Sequence, residues 1–170
     1  MKADERRKEI VSIIMSESEP VSGSVLSERL NVSRQIIVQD ITMLKAAGFD
    51  IISTHKGYVL KENPYAERVF KLKHTSEQTE DELMSIVGLG GMVMDVFVWH
   101  RVYGRIDAKL NIFTEKNVQE FMEGIKTGRS SELMHITSGY HYHTVRAESE
   151  KILDDIENVL KEKGYWLEAE

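Results

Sequence analysis

Two histidines separated by one residue, in Gly139-Tyr-His-Tyr-His-Thr144, carry the plainest chemical signal in this 170-residue chain. A strand sends alternate side chains to one face, so His141 and His143 project together from backbone positions about 7 Å apart. Two neutral imidazoles on rigid backbone form a chelate that needs further ligands from elsewhere. His74 closes an earlier apolar stretch, and Glu82 lies in the helical pattern that follows it. Three nitrogens and one carboxylate oxygen are borderline ligands, suited to zinc, nickel or ferrous iron rather than calcium. There is no cysteine, which excludes thiolate metal sites and disulfides. Each residue also has a plainer reading. Glu82 has the spacing to complete a capping box with Thr79. His74 could be an ordinary strand end, and alternating Tyr and His could mark one buried and one solvated sheet face. His135 and His55 read as incidental.

The elements that must position these residues follow from periodicity. Residues 69–73 read as a strand and 79–88 as a helix; 93–100 and 105–112 read as an antiparallel pair turning at Val102-Tyr103-Gly104. A helix from Thr114 to about residue 126 comes next. Residues 133–137 and 140–145 are expected to form a hairpin across Ser138-Gly139, before a helix over 148–163 and a short strand over 165–167. Helices between antiparallel strand pairs point to an α+β two-layer sandwich with a mainly antiparallel sheet, over 66–170. Glu-Asn-Pro-Tyr, after Lys61, breaks the periodicity and marks the boundary with a first domain over 1–62.

That first domain reads differently. Ile10, Ile13 and Ile14 give a first helix over 4–16, and Val25, Leu26 and Leu30 a second from Ser22. Ser33 caps a third that runs to about residue 47, where Gly48 stops it. Residues 51–54 and 58–60 are two strands joined through His55-Lys56-Gly57. Three helices and a hairpin make a winged helix-turn-helix. The third helix puts Ile37, Ile41 and Leu44 on one face and Gln35, Gln39 and Thr42 on the other. Glutamine can pair with adenine in the major groove, so Gln35 and Gln39 are expected to read bases, with Ile36 against a thymine methyl. Ser33 and Arg34 at the helix start, and Lys56 at the wing tip, are placed for phosphates.

A formal charge of −6 argues at first against nucleic acid, but residues 1–61 hold nine Lys and Arg against eight Asp and Glu, while the remainder holds thirteen against twenty. The acidity belongs to the second domain. No apolar run approaches the roughly 20 residues of a membrane span, and the charged start lacks a signal-peptide pattern, so a cytoplasmic location is expected.

Taken together, the helix-turn-helix, His74, His100-Arg-Val-Tyr-Gly104 and Gly139-Tyr-His-Tyr-His-Thr144 resemble the 3H-domain regulators, and closely the niacin-responsive repressors of NAD biosynthesis and niacin uptake. Ser33-Arg-Gln-Ile-Ile-Val-Gln-Asp-Ile41 is similar to that family's recognition helix almost throughout. The resemblance implies a homodimer that binds operator DNA with nicotinic acid as co-repressor. It also implies a divalent metal at His74, Glu82, His141 and His143, and a second domain similar to the open-faced sandwich of histidine-containing phosphocarrier proteins. His100, Tyr103 and Gly104 are then expected near the effector. Arg101 stands where the family has proline, which would stiffen that turn. Two other readings use the same ligands. The metal itself could be the signal of a metal-responsive repressor, or an open coordination position could activate water for hydrolysis. Glu80 and Asp81, the carboxylates left as a general base, belong to a helix start that uses negative charge anyway, so an enzyme is not expected.

Overall fold

The computed structural model describes residues 1–61, 63–127 and 131–168. The chain divides into two units, Met1–Pro64 and Tyr65–Glu170. Glu62 and residues 169–170, which the sequence places at the ends of the two domains, lie outside the described residues.

The first unit comprises α1 (Ala3–Ser16), α2 (Gly23–Leu30), α3 (Arg34–Ala46) and the hairpin strands β1 (Ile51–Ser53) and β2 (Tyr58–Leu60). Its core is the apolar stripe of each helix, with Ile10, Ile14, Leu26, Leu30, Ile37, Ile41 and Leu44 all buried. Ser22 accepts a hydrogen bond from the Val25 N–H and Ser33 from the Ile36 N–H, which starts α2 and α3. Asn31, left-handed at φ 51°, ends α2 and turns the chain into α3. Asp40 is buried on α3 and survives there because Arg6 Nε, at 2.5 Å, and Arg7, at 3.4 Å, reach it from α1. The wing is held to the bundle by backbone bonds between Val21 and Tyr58. At Gly57 a Cβ would lie 2.4 Å from the Val21 backbone, so the close approach requires glycine.

The second unit runs β3 (Ala66–Lys73), a 3₁₀ turn (Ser76–Gln78), α4 (Thr79–Gly88), β4 (Met92–His100), β5 (Gly104–Ile112) and α5 (Glu115–Lys126). It continues through a second 3₁₀ turn (Leu133–Thr137), β6 (Tyr140–Ala147), α6 (Glu150–Glu162) and β7 (Trp166–Leu167). The sheet has the order β5-β4-β6-β3-β7 and every pairing is antiparallel. One face packs against the helices. Phe70, Leu72, Val93 and Val145 from strands meet Leu83 and Ile86 of α4 and Leu153, Ile156 and Leu160 of α6. Full burial of such a side chain is worth roughly 1.5–3 kcal/mol, so this layer is what fixes the strand register. The other face exposes Val69, Trp99 and Tyr140, and the Arg105 guanidinium lies over the Phe97 ring. The α+β sandwich read from the sequence is the fold observed.

Two local expectations are corrected. Residues 133–137 form a 3₁₀ turn and not a strand. β6 lies between β4 and β3, so both its edges are already paired and no hairpin partner can dock. The chain enters β6 through Ser138 and Gly139, at φ 56° and 91°, and a Cβ on Gly139 would stand 2.8 Å from the His74 carbonyl oxygen. The capping box also belongs to other residues. Thr75 and Gln78 cap the turn before α4, which frees Glu82 from that task.

Candidate functional site

Strand alternation delivers His141 and His143 to the helix-covered face of β6, where both are buried. His74, one residue past the end of β3, is brought alongside because β3 pairs with β6, Lys73 lying opposite Tyr140. Glu82 enters from α4 one turn into the helix. Its side chain is 1% exposed, and no solvent reaches it to support its charge.

Glu82 is the centre of the constellation. Its Oε2 lies 2.5 Å from His74 Nε2 and 3.5 Å from His141 Nε2, and its Oε1 lies 3.1 Å from His143 Nε2. His143 is near Oε1 but out of line, so that oxygen has no hydrogen-bond partner among the described residues. Ligand atoms of His74, Glu82 and His141 all fall within 4.8 Å of one another.

All three imidazoles are fixed from behind. The Nδ1 of His74 donates to the Thr75 carbonyl at 2.8 Å, that of His141 to Gly139 at 3.0 Å, and that of His143 to Asp95 at 2.6 Å. A ring whose Nδ1 carries the hydrogen presents a lone pair at Nε2 when neutral. Three such lone pairs and a carboxylate face one centre, an arrangement that repels itself unless a cation lies in it. Protons are one answer. Burial by itself would lower His74, but the hydrogen bond and charge of Glu82 outweigh it and raise the pKa. His143 behaves likewise, burial being overcome chiefly by the Glu82 charge beside it. Burial would raise Glu82, yet the charge of His143 and the close approach of the three rings hold it well below the usual carboxylate range. A divalent ion is the other answer. The donor set suits it, and second-partner carbonyls on Nδ1 are what orient metal-binding histidines.

The Asp95 carbonyl is available because the sheet is irregular there. Between Val93 and Phe97, β4 carries one residue more than β6 opposite it, a β-bulge. The Asp95 carboxylate accepts bonds from the Thr144 N–H at 2.9 Å and hydroxyl at 3.0 Å, which replaces the interrupted ladder. A second irregularity faces it on β5, where Asn111 adopts φ 51°.

A cavity of about 40 Å³ opens on the cluster. Besides the four proposed ligands it is lined by Val96, Leu110, Phe121, Leu133 and Met134, together with Thr79 and Glu132. Among the described residues, neither the Thr79 hydroxyl nor either Glu132 oxygen has a hydrogen-bond partner. Sequence reasoning gave neither residue a place here. Nothing in Ser131-Glu-Leu-Met134 has a period or spacing that would have singled out Glu132, and Asp95 was invisible for the same reason.

The remaining site residues lie elsewhere. His100 ends β4, its Nδ1 accepting from the Val102 and Tyr103 N–H groups at 3.2 Å and its ring stacked on Tyr103. Tyr103 is exposed and Gly104, at φ 72°, begins β5. His100 lines a broad depression of about 720 Å³ with Lys71, Trp99, Arg101, Tyr140 and Tyr142; none of His100, Tyr103 and Gly104 lines the cavity at Glu82. His135 bonds to Ser76. In the first unit, Ser33, Arg34, Gln35, Gln39 and Thr42 are exposed along α3, Ile36 is half-buried, and Lys56 is exposed on the wing. The Thr42 hydroxyl donates to the Val38 carbonyl, which leaves it an acceptor for any partner.

Comparison with known proteins adds an independent line. A helix-turn-helix domain model matches residues 6–59 and a 3H domain model matches residues 67–169. The chain is 39% identical over 165 residues to the "Probable transcription repressor NiaR" of Thermotoga maritima, covering 96% of this chain and 94% of that one. It is 37% identical over 164 residues to "Transcription repressor NadR" of Bacillus subtilis, covering 94% and 91%. No helix among the described residues is long and apolar enough to cross a membrane.

Proposed function

The chain belongs to the 3H-domain family of NiaR-like transcription repressors, and from that premise we propose that it represses genes of niacin salvage, uptake and NAD biosynthesis. Its first unit binds operator DNA, and its second is the sensor, with nicotinic acid as co-repressor. The observation that carries the sensor assignment is the convergence of three carbonyl-fixed histidines on buried Glu82.

His74, Glu82, His141 and His143 hold a divalent ion, with zinc, nickel and ferrous iron as the candidates. When bound, the ion supplies a positive centre for an anionic effector group. The protein's own residues do the rest. Apolar walls from Val96, Leu110 and Phe121 exclude water, and the carbonyls of Thr75, Gly139 and Asp95 keep each ring in register. A homodimer sets two α3 helices about 34 Å apart, one turn of DNA. Ligand binding favours that arrangement only by its greater affinity for it; a coupling of about 1–3 kcal/mol changes operator affinity roughly 5- to 150-fold. The decisive test uses DNA selected by the protein from a random pool. Binding measured by fluorescence anisotropy is expected to strengthen at least fivefold when metal and nicotinic acid are present together. Equal affinity with and without the acid would overturn the co-repressor assignment.

The size of the cavity favours one second reading. At about 40 Å³ it holds about three water-sized positions at roughly 10–15 Å³ each, room for an ion and its remaining ligands. A pyridine carboxylate needs somewhat more room than that, so side chains of the wall must shift to admit one. In a metal-responsive repressor no such shift is needed, and metal alone would restore full operator affinity in the same anisotropy experiment.

A further inference from the structure

The cavity at the histidine cluster contains a buried carboxylate that accepts no hydrogen bond among the described residues. Glu132 has a side chain 5% exposed, and neither oxygen accepts a hydrogen bond among the described residues. His135 Nε2 lies 3.3 Å from one of those oxygens but is engaged with the Ser76 hydroxyl at 2.7 Å. A buried acceptor left unsatisfied costs about 1–3 kcal/mol, and more when charged. Such a cost persists where a partner arrives later. The same cavity carries the Thr79 hydroxyl, without a hydrogen-bond partner among the described residues, beside Glu82 and the histidines. Its walls between these polar points are apolar, Leu110, Phe121 and Leu133 among them.

We propose that Glu132 selects the effector, accepting a hydrogen bond from an N–H donor on a planar ring whose carboxylate is held at the other end by the metal and the Thr79 hydroxyl. The ligand class is a pyridinium carboxylate bound as the zwitterion. Its anionic end meets the cationic and donor groups, its flat body meets the apolar walls, and its N–H meets the orphaned carboxylate. An aromatic acid without ring nitrogen would leave Glu132 buried and unpaired, and sites built around a buried polar group reject analogues that lack its partner far more strongly than apolar pockets do. This inference rests on the reading of the cavity as the effector site.

The experiment is calorimetric titration of zinc-loaded protein with nicotinate and with benzoate, in the natural chain and in Glu132→Leu. The natural chain is expected to bind nicotinate at least tenfold more tightly than benzoate. In Glu132→Leu the ratio is expected to fall to near one, with zinc affinity unchanged. Glu132→Met, unbranched and of similar length, serves the same purpose if the leucine is not accommodated. A ratio retained in both variants would overturn the inference. So would a tenfold loss of zinc affinity, which would make Glu132 a metal ligand. Failure of the natural chain to bind either acid would instead remove the effector reading itself, and this inference with it.

Discussion

His74 Nε2 and Glu82 Oε2 stand 2.5 Å apart, each side chain 1% exposed, at the point where two further imidazoles converge. Neither residue would be tolerated there alone. Removing one member of a buried ionic cluster leaves the others uncompensated, which typically costs about 3–5 kcal/mol. Glu82→Ala and His141→Ala are therefore expected to lose stoichiometric metal by elemental analysis. Their second unit should melt at lower temperature while the first keeps its helical circular-dichroism signal. A variant that still retained one ion per chain would contradict the proposed ligand set.

The metal-free protein should show an inverted pH response. His74 and His143 are raised above the ordinary value of 6.5, so their contribution to stability is complete below 6.5 and is lost as pH rises through their folded values. Glu82 is lowered below 4.5, so its contribution is present above 4.5 and is lost only as pH falls through its depressed value. Metal-free protein is thus expected to be most stable between these limits and to lose stability above neutrality. Metal-loaded protein should do the opposite, because the ion displaces the imidazole protons and binds more tightly as pH rises. Thermal scans of both forms from pH 5.5 to 8.5 check this, together with proton release on metal addition.

Much of the site was legible because a period of two is a strong constraint. His141 and His143 had to share a face, and burial of Phe70, Leu72, Val93 and Val145 decided which face. His74 was legible as the end of a strand, although nothing in the sequence said that β3 would lie beside β6. Glu82 had two candidate tasks at equal spacing, and only the cap formed by Thr75 and Gln78 removed one. Asp95 and Glu132 were illegible, since a bulge and an orphaned carboxylate are properties of packing. The Leu133–Thr137 turn was misread because its residues suit a strand, whereas the sheet had no free edge for one.

The residues proposed to face DNA separate into two kinds of loss. Gln35→Ala and Gln39→Ala are expected to weaken operator binding by about 1–3 kcal/mol each and to relax preference at one base pair. Arg34→Ala and Lys56→Ala should weaken all sequences alike and reduce the salt slope by about one. Ser33→Ala removes the cap of α3 and costs about 1 kcal/mol of stability before any DNA is added. Anisotropy at several salt concentrations distinguishes these. A Gln39→Ala protein with unchanged sequence preference would remove that residue from base reading.

Asp95 tests whether the bulge serves the histidines. Asp95→Ala takes both bonds from Thr144 and leaves its N–H unsatisfied, a loss of about 1–3 kcal/mol measurable by urea unfolding. The carbonyl that holds His143 would then lose its anchor, and metal affinity is expected to fall roughly 10- to 100-fold in competition with a chelator. Destabilisation with metal affinity intact would show that the bulge supports the sheet and nothing more.

The carbonyls behind His74, His141 and His143 come from the chain itself, so the rings are aimed without help from an ion. An occupant can therefore leave without erasing the place it left. A sensor of this construction resets by exchange and not by refolding. Its tempo in the cell would follow the supply of its ligands, and repeated use would leave no wear on the fold.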